Sequence, residues 1–231
     1  MGRLQDKVAL VTGAASGIGA GIARAFAAEG ATVWLTDIDE VGGRKLADDL
    51  GPPHRFAKLD VAVEADWGIV DELVATEGKL DILVNNAGIT GFEFGPQPHD
   101  PEHASLDEWH RVHAVNLDGT FLGCRAAIRA MRPQGKGAVV NISSRSGLVG
   151  IPRAAAYASS KAAIRNHSKS VALYCASEGL EIRCNSVHPA AIMTPIWEAM
   201  IGNGPDREER IAKLVADTPV RRFGTVRATN S

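Results

Sequence analysis

The chain has 231 residues, of which 45% are hydrophobic and 23% charged, a globular composition with room for one large domain or two small ones. The net charge is −2 and no block of like charge occurs, which argues against a nucleic-acid-binding face. The sequence has no long apolar run, so we expect no membrane-spanning segment. The three cysteines lack CxxC spacing, which indicates buried, reduced thiols in a cytoplasmic protein.

Short, β-rich apolar runs alternate with longer helical patterns along the chain. The patterns predict strands at 8–14, 32–37, 55–60, 82–88, 138–144 and 182–189, and helices near 17–29, 39–50, 64–77, 105–131 and 155–178. Most strand runs are continuously apolar, as expected for strands covered on both faces. The alternation predicts one α/β domain over residues 1–231, built on a doubly wound parallel sheet.

The first predicted strand leads into the turn TGAASGIG at 12–19, and the second ends at Asp37. Glycines let a backbone approach a pyrophosphate closely, and a helix N-terminus offers free N–H groups. The GxxxGxG spacing alone is also compatible with a purely structural strand-to-helix turn. An acidic residue after the second strand accepts hydrogen bonds from a ribose 2′-hydroxyl and repels a 2′-phosphate, which favours NAD over NADP. The simpler role for Asp37 is a helix N-cap or a turn residue.

Two irregular segments, 89–104 and 190–218, follow predicted strands. Crevices at the carboxyl ends of strands bind ligands in such folds, so 89–104 is expected at the rim and 190–218 on the substrate side. Trp197 is a candidate for the substrate rim. Four histidines between 99 and 113 make a metal site in this segment an alternative. A proline-rich loop followed by an amphipathic helix explains them better, so we expect no bound metal.

The stretch YASSK at 157–161 places Tyr157 and Lys161 one helical turn apart. A tyrosine with a pKa of about 10 is a poor base near neutrality, and a nearby cation lowers that pKa. The pair is therefore a candidate for proton transfer. Pairs at this spacing are also common on ordinary helix surfaces.

Seven pieces of the sequence, in order, resemble the short-chain dehydrogenase/reductase family over about residues 5–224. They are TGAASGIG at 12–19, LDV at 59–61, NNAG at 85–88, Asn116 in VNLDGTF, NISS at 141–144, YASSK at 157–161 and NSVHPAAIMTP at 185–195. The resemblance implies a Rossmann-type domain and a nicotinamide-dependent interconversion of alcohols and carbonyls. It also implies a homo-oligomer, most often a tetramer, built on the helices at 105–131 and 155–178.

The resemblance also implies roles for individual residues. Tyr157 would be the acid or base, Lys161 would bind the nicotinamide ribose, and Asn116 would help hold a water that relays protons. Ser144, which lies 13 residues before Tyr157 as the family pattern requires, would donate a hydrogen bond to the substrate oxygen. The expected cofactor contacts are Gly13, Ser16, Gly17, Ile18, Gly19, Asp37, Asp60, Val61, Asn86, Ala87, Gly88, Tyr157, Lys161, Ile192 and Thr194.

The sequence departs from the family pattern in two places. Ala190 follows Pro189 where the family has glycine, so a local shift near the nicotinamide is expected if that position needs a positive φ. Family members continue past RRFG (221–224) with an acidic helix, a further strand and a glycine-containing tail, whereas TVRATNS follows here. We therefore expect the strand at 182–188 to be the last one and to lie at the edge of the sheet.

The leading hypothesis is an NAD-dependent dehydrogenase acting on a secondary alcohol or its ketone as a small-molecule substrate. By resemblance, cyclic and steroid-like alcohols are plausible substrates. One alternative is an NAD-binding protein with little or no catalysis owing to a shortened C-terminus. Another is a 3-oxoacyl-thioester reductase, against which Asp37 argues because such reductases generally prefer NADPH.

Overall fold

The computed structural model describes residues 2–216 and 218–226. Its six parallel strands form one sheet in the order β3-β2-β1-β4-β5-β6. The strands are β1 Val8–Thr12, β2 Thr32–Asp37, β3 Arg55–Lys58, β4 Ile82–Asn85, β5 Lys136–Ile142 and β6 Glu181–Val187. The helices are α1 Gly17–Ala28, α2 Glu40–Leu50, α3 Ile69–Glu77, α4 Leu106–His113, α5 Gly119–Met131, α6 Ala155–Ser177, α7 Glu198–Ile201 and α8 Arg207–Leu214.

Helices cover both faces of the sheet, which explains the apolar runs. Every residue of β1 and β4 is buried. Because neighbouring residues of a strand face opposite sides, Val11 packs into a core with Ile22 of α1 and Leu46 of α2. Leu10 packs into a second core on the other face, beneath α3, α5 and α6. The predicted doubly wound α/β fold is thereby confirmed.

The edge strand β6 shows the opposite pattern, since buried and exposed residues alternate along most of its length. Ile182 and Cys184 face the core, whereas Arg183 and Asn185 are exposed. Within the described sheet β6 is the last strand, as predicted. The segment that follows it pairs with Gly224, whose N–H donates to the Ala191 carbonyl at 2.8 Å. Residues 227–231 of the TVRATNS stretch lie outside the described residues.

Several predicted boundaries shift because the chain leaves the sheet to build turns. β1 ends at Thr12 instead of residue 14, since Gly13 has a φ of 63°. β4 ends at Asn85 instead of residue 88. The predicted helix 105–131 contains a π-helical turn, Ala114–Asp118, between α4 and α5. Such turns frequently mark functional sites.

Two further expectations concern thiols and membranes. Cys124, Cys175 and Cys184 are free and buried, as predicted. Within the described ranges, every helix is too short or too polar to cross a bilayer.

Candidate active site

The glycine-rich turn has no room for a side chain at Gly13 or Gly19. A Cβ atom at Gly13 would lie 2.7 Å from the Ala87 Cα atom, and one at Gly19 would lie 2.1 Å from the Gly13 carbonyl oxygen. Ser16 is the N-cap of α1, and its side chain makes no capping hydrogen bond. The turn therefore presents bare backbone next to a helix N-terminus, an arrangement that fits a pyrophosphate.

Thr12 and Asn86 join this turn to the end of β4. The Asn86 side-chain amide donates to the carbonyl oxygens of Thr12 and Gly13 at 2.9 and 3.0 Å. The buried Thr12 hydroxyl accepts the backbone N–H groups of Asn86 and Ala87, each at 3.0 Å. The sequence analysis gave Thr12 no role. The signal that could have identified it is its position at the end of β1.

Asp37 lies at the end of β2 and also contacts the glycine-rich turn. Its Oδ2 atom accepts the Ala15 N–H at 2.9 Å, and its Oδ1 atom accepts the Asp39 N–H at 3.0 Å. The N-cap of α2 is Asp39, which accepts the Gly42 N–H, so the N-cap role considered for Asp37 is wrong. The bond of Asp37 to the Asp39 N–H, two residues on, agrees with the alternative role as a turn residue. Each Asp37 oxygen keeps a lone pair that a ribose hydroxyl can use.

The next predicted contacts follow β3 and β4 at the same edge of the sheet. The Asp60 Oδ1 atom accepts the Ala62 N–H at 3.0 Å. Val61 is buried, and a Cβ atom at Gly119 would lie 2.8 Å from its side chain. A Cβ atom at Gly88 would lie 3.2 Å from the Lys161 Nζ atom. The NNAG stretch thus leads from the glycine-rich turn to the predicted catalytic residues.

Tyr157, Lys161 and Ser144 meet where the sheet, α6 and the turn after β5 converge. The Ser144 side chain lies beside the Tyr157 hydroxyl and lowers its pKa. The Ser144 hydroxyl accepts the Ser146 N–H at 3.1 Å, which leaves its proton for an oxygen acceptor. The Lys161 Nζ atom donates to the Ile142 carbonyl at 3.0 Å and lies 5.7 Å from the centroid of the Tyr157 ring.

The charges in this group differ from the sequence-based expectation. The pKa of Tyr157 is raised above its ordinary value, chiefly by burial, while the hydrogen bond from Ser144 lowers it and the charge of Glu93 raises it. Burial lowers the pKa of Lys161 to about 8. The expected lowering of the Tyr157 pKa is therefore not seen in this structure, where burial of the phenol is the largest cause and the net direction is upward.

Asn116 lies in the π-helical turn and is fully buried. Its Oδ1 atom accepts the Ile89 N–H at 2.8 Å, and its Nδ2 atom donates to the Ile89 carbonyl at 2.9 Å and to the Ser160 hydroxyl at 3.0 Å. The Ser160 hydroxyl donates to the Tyr157 carbonyl at 2.8 Å. Asn116 thus links the loop after β4 to α6. Its expected role in holding a water stays a prediction.

Ser143 and Ser144 have different surroundings despite being neighbours. The buried Ser143 hydroxyl donates to the Lys161 carbonyl at 2.7 Å, so it supports α6 and does not reach the reacting groups. The Ser144 carbonyl contacts the Nδ1 atom of His188 at 3.0 Å, and the Nε2 atom of His188 contacts the Ser186 hydroxyl at 2.9 Å. His188, which the sequence did not single out, thereby fixes the backbone of Ser144.

The rim loop 89–104 is held by pairs of side chains. His99 and Glu108 form a buried contact between the Nδ1 and Oε1 atoms, although the other polar atom of each side chain has no partner among the described residues. The His99 carbonyl accepts the Ala155 N–H at 2.9 Å at the start of α6. Of the other histidines considered as metal ligands, His103 contacts Asp100 and His113 contacts the Trp109 carbonyl. No group of three ligating side chains is found in the described ranges.

The segment after β6 lies over the glycine-rich turn. A Cβ atom at Gly17 would be 3.4 Å from the Thr194 side chain. Ile192 pairs with Gly224, and the ring of Trp197 packs edge-on against Phe223 at 5.2 Å between centroids. Among the described residues the positive φ values outside glycine occur at Asp6 and Arg221, so Ala190 carries no such strain.

Comparison with known proteins agrees with this arrangement. Residues 13–230 match the profile of a family described as enoyl-(acyl carrier protein) reductase. The chain is 41% identical to a 3-beta-hydroxysteroid dehydrogenase of Comamonas testosteroni, with 89% of this chain and 79% of the relative aligned. It is 43% identical to a cyclopentanol dehydrogenase of Comamonas sp. (strain NCIMB 9872), over 87% and 79% of the two chains. The crystal structure of gox2181 superposes with a TM-score of 0.88 at 32% identity, covering 99% of this chain and 87% of the other.

Proposed function

The chain belongs to the short-chain dehydrogenase/reductase family, and on that premise we propose that it transfers a hydride between NAD(H) and a secondary alcohol or ketone, with Tyr157 as acid and base. The observation that carries the proposal is the contact between Tyr157 and Ser144 beside the Lys161 ammonium, at the end of a backbone cradle. The relatives named above act on ring alcohols, so a cyclic secondary alcohol is the proposed substrate class.

A bound nicotinamide would accept the hydride from the alcohol carbon in oxidation and return it to the carbonyl carbon in reduction. The glycine-rich turn and the N-terminus of α1 would hold the pyrophosphate. Asp37 would accept hydrogen bonds from the adenosine ribose, and its charge would repel a 2′-phosphate, which supports NAD over NADP. No basic side chain occurs at 14–16 or 36–38 to offset that repulsion.

The side chains around the substrate oxygen would carry its proton. In oxidation, the hydroxyl proton passes to the Tyr157 oxygen as the carbon loses its hydride. In reduction, Tyr157 returns that proton to the carbonyl oxygen. The Ser144 hydroxyl, which lies beside the Tyr157 hydroxyl, would donate to the substrate oxygen and stabilise negative charge developing there. Lys161 would bind the nicotinamide ribose and add a positive charge near the phenol.

The raised pKa of Tyr157 has a consequence for direction. A phenol that keeps its proton at neutral pH is ready to act as the acid, so ketone reduction should proceed well near neutrality. Alcohol oxidation needs the phenolate, so its rate should increase as the pH is raised.

The test is a screen of NAD⁺ and NADP⁺ reduction over cyclic, aliphatic and steroid alcohols, with Tyr157→Phe as the matched variant. We expect NAD⁺ to be the better acceptor and Tyr157→Phe to lose turnover by a factor on the order of 10²–10⁴. Calorimetry should find NAD⁺ affinity within about twofold of wild type, since phenylalanine keeps the ring. Unchanged turnover in Tyr157→Phe would refute the role of Tyr157, and NAD⁺ binding without turnover of any alcohol would favour a binding protein.

A further inference from the structure

Glu93 is a fixed carboxylate at the beginning of the rim loop. It lies in a short 3₁₀ turn, Phe92–Phe94. Its Oε1 atom accepts the N–H and the hydroxyl of Thr90 at 3.0 and 2.8 Å, and its Oε2 atom accepts the Gly91 N–H at 2.8 Å. These bonds fold the exposed side chain back onto its own loop, so the direction of its charge is fixed.

This turn lies beside the reacting groups. It begins three residues after Ile89, whose N–H and carbonyl are both held by the Asn116 side chain. Asn116 contacts Ser160, which is hydrogen bonded to the Tyr157 carbonyl. On its other side the turn packs against α7, in the substrate-side segment. The turn is therefore linked on one side to the backbone of Tyr157 and on the other to the substrate-side segment.

The charge of Glu93 is not neutralised by a neighbour. All three donors to its carboxylate are uncharged, and within residues 2–216 and 218–226 it forms no ion pair. The nearby guanidinium of Arg111 lies over the Phe94 ring at 4.6 Å. By contrast, Glu198 of α7 is paired with Arg207 at 2.9 Å. The negative field of Glu93 extends to the phenol of Tyr157, where it helps to raise the pKa after burial, the larger cause.

We propose that Glu93 is a specificity-determining residue that disfavours ketones and alcohols carrying a negative charge and favours neutral or cationic ones. This inference rests on the proposed oxidoreductase function. An anionic substrate would have to place its charge beside a carboxylate that has no cationic partner and whose direction is fixed, where like charges repel. A cationic group in the same place would gain a partner.

The experiment uses three ring ketones with one shared skeleton. Opposite the carbonyl they carry a carboxylate, a methyl ester or an aminomethyl group. In Glu93→Gln we expect kcat/KM for the carboxylate, relative to the ester, to increase roughly tenfold, and that for the aminomethyl ketone to decrease. Glutamine has the same shape and keeps one oxygen acceptor for Thr90, but its NH₂ group cannot accept the Gly91 N–H. The effect of charge is therefore taken from the ratios of kcat/KM between the three ketones, which the loss of that bond should not change.

Thr90→Val is the matched control. It removes one donor to the same carboxylate without changing its charge, so it should affect all three ketones by the same factor. Wild type gives a second readout that needs no variant: added salt should raise kcat/KM for the carboxylate ketone and lower it for the aminomethyl ketone. This measurement decides the question if Glu93→Gln does not fold.

The outcomes separate this inference from the proposed function. If wild type reduces the ester ketone but the ratios are the same in Glu93→Gln and insensitive to salt, Glu93 does not select charge and only this inference is overturned. If wild type reduces none of the ketones and oxidises no alcohol, the proposed function is overturned and this inference falls with it.

Discussion

The nucleotide side and the substrate side of this molecule are held together by different kinds of contact. On the nucleotide side, from β1 to the end of β4, the shape comes from backbone: glycines at close approaches and backbone N–H groups bound by Thr12 and Asp37. On the substrate side, the rim loop is held by side chains of the segment 106–118, with Asn116 bound to Ile89 and Glu108 to His99. Chain-specific side chains therefore shape the part of the cleft that would select the substrate.

The prediction with the largest expected effect on stability replaces one partner of the buried His99–Glu108 pair on the substrate side. His99→Leu or Glu108→Met should each lower the free energy of unfolding by about 3–5 kcal/mol, since either leaves a buried polar partner without compensation. Because the pair holds the rim loop, we also expect KM for the alcohol to increase while the dissociation constant for NAD⁺ stays near wild type. Urea denaturation, steady-state kinetics and calorimetry give the three quantities.

The double variant His99→Leu/Glu108→Met is the control for this pair. With both polar groups removed, the loss of stability should be much smaller than the sum of the two single losses. Additive losses would mean that the two side chains stabilise the protein separately. An equal weakening of NAD⁺ binding would mean that the two sides are not held independently.

The second test adds a methyl group at a glycine on the nucleotide side, where the backbone is closely packed. Gly13 and Gly135 have φ values of 63° and 70°, but a Cβ atom at Gly13 would lie 2.7 Å from the Ala87 Cα atom, whereas at Gly135 nothing lies within 4 Å. Gly135→Ala should therefore lose only the left-handed strain, roughly 1–2 kcal/mol. Gly13→Ala should lose about 3 kcal/mol, because overpacking adds to that strain.

The same two variants should differ in cofactor binding. We expect Gly13→Ala to weaken NAD⁺ binding at least tenfold, on the order of 1.4 kcal/mol, and Gly135→Ala to leave it unchanged. Equal effects of the two substitutions on stability and on binding would show that the approach of Gly13 to Ala87 has no special role. Calorimetry together with thermal unfolding distinguishes these results.

The contrast also explains which parts could be predicted from the sequence. The order of strands and helices follows from apolar runs and turn residues, and the glycine-rich turn is a local pattern. Asn116 stood out only as a polar residue inside a helical pattern, and the π-helical turn around it leaves no periodic signal. The pairing of His99 with Glu108 and the bonds of Glu93 depend on how a loop without periodicity packs against α4, which a linear pattern does not encode.

Electrostatics was the least predictable property, because it depends on burial. A lysine four residues after a tyrosine indicates a lowered tyrosine pKa, yet the fold buries both groups and the pKa of Tyr157 is raised. Spacing along a helix gives the distance between two side chains, but the surrounding protein determines whether their charges are stabilised.

The smallest predicted effect concerns Lys161, where the two sides meet. Its pKa is about 8 in the folded protein and about 10.5 when unfolded, so between these values the unfolded chain binds a proton that the folded chain does not. Stability should therefore increase as the pH is raised from 8 towards 10, by about 2 kcal/mol relative to Lys161→Met, which has no such group. Urea midpoints at the two pH values measure the difference, and a constant gap between wild type and Lys161→Met would show that this ammonium is well solvated.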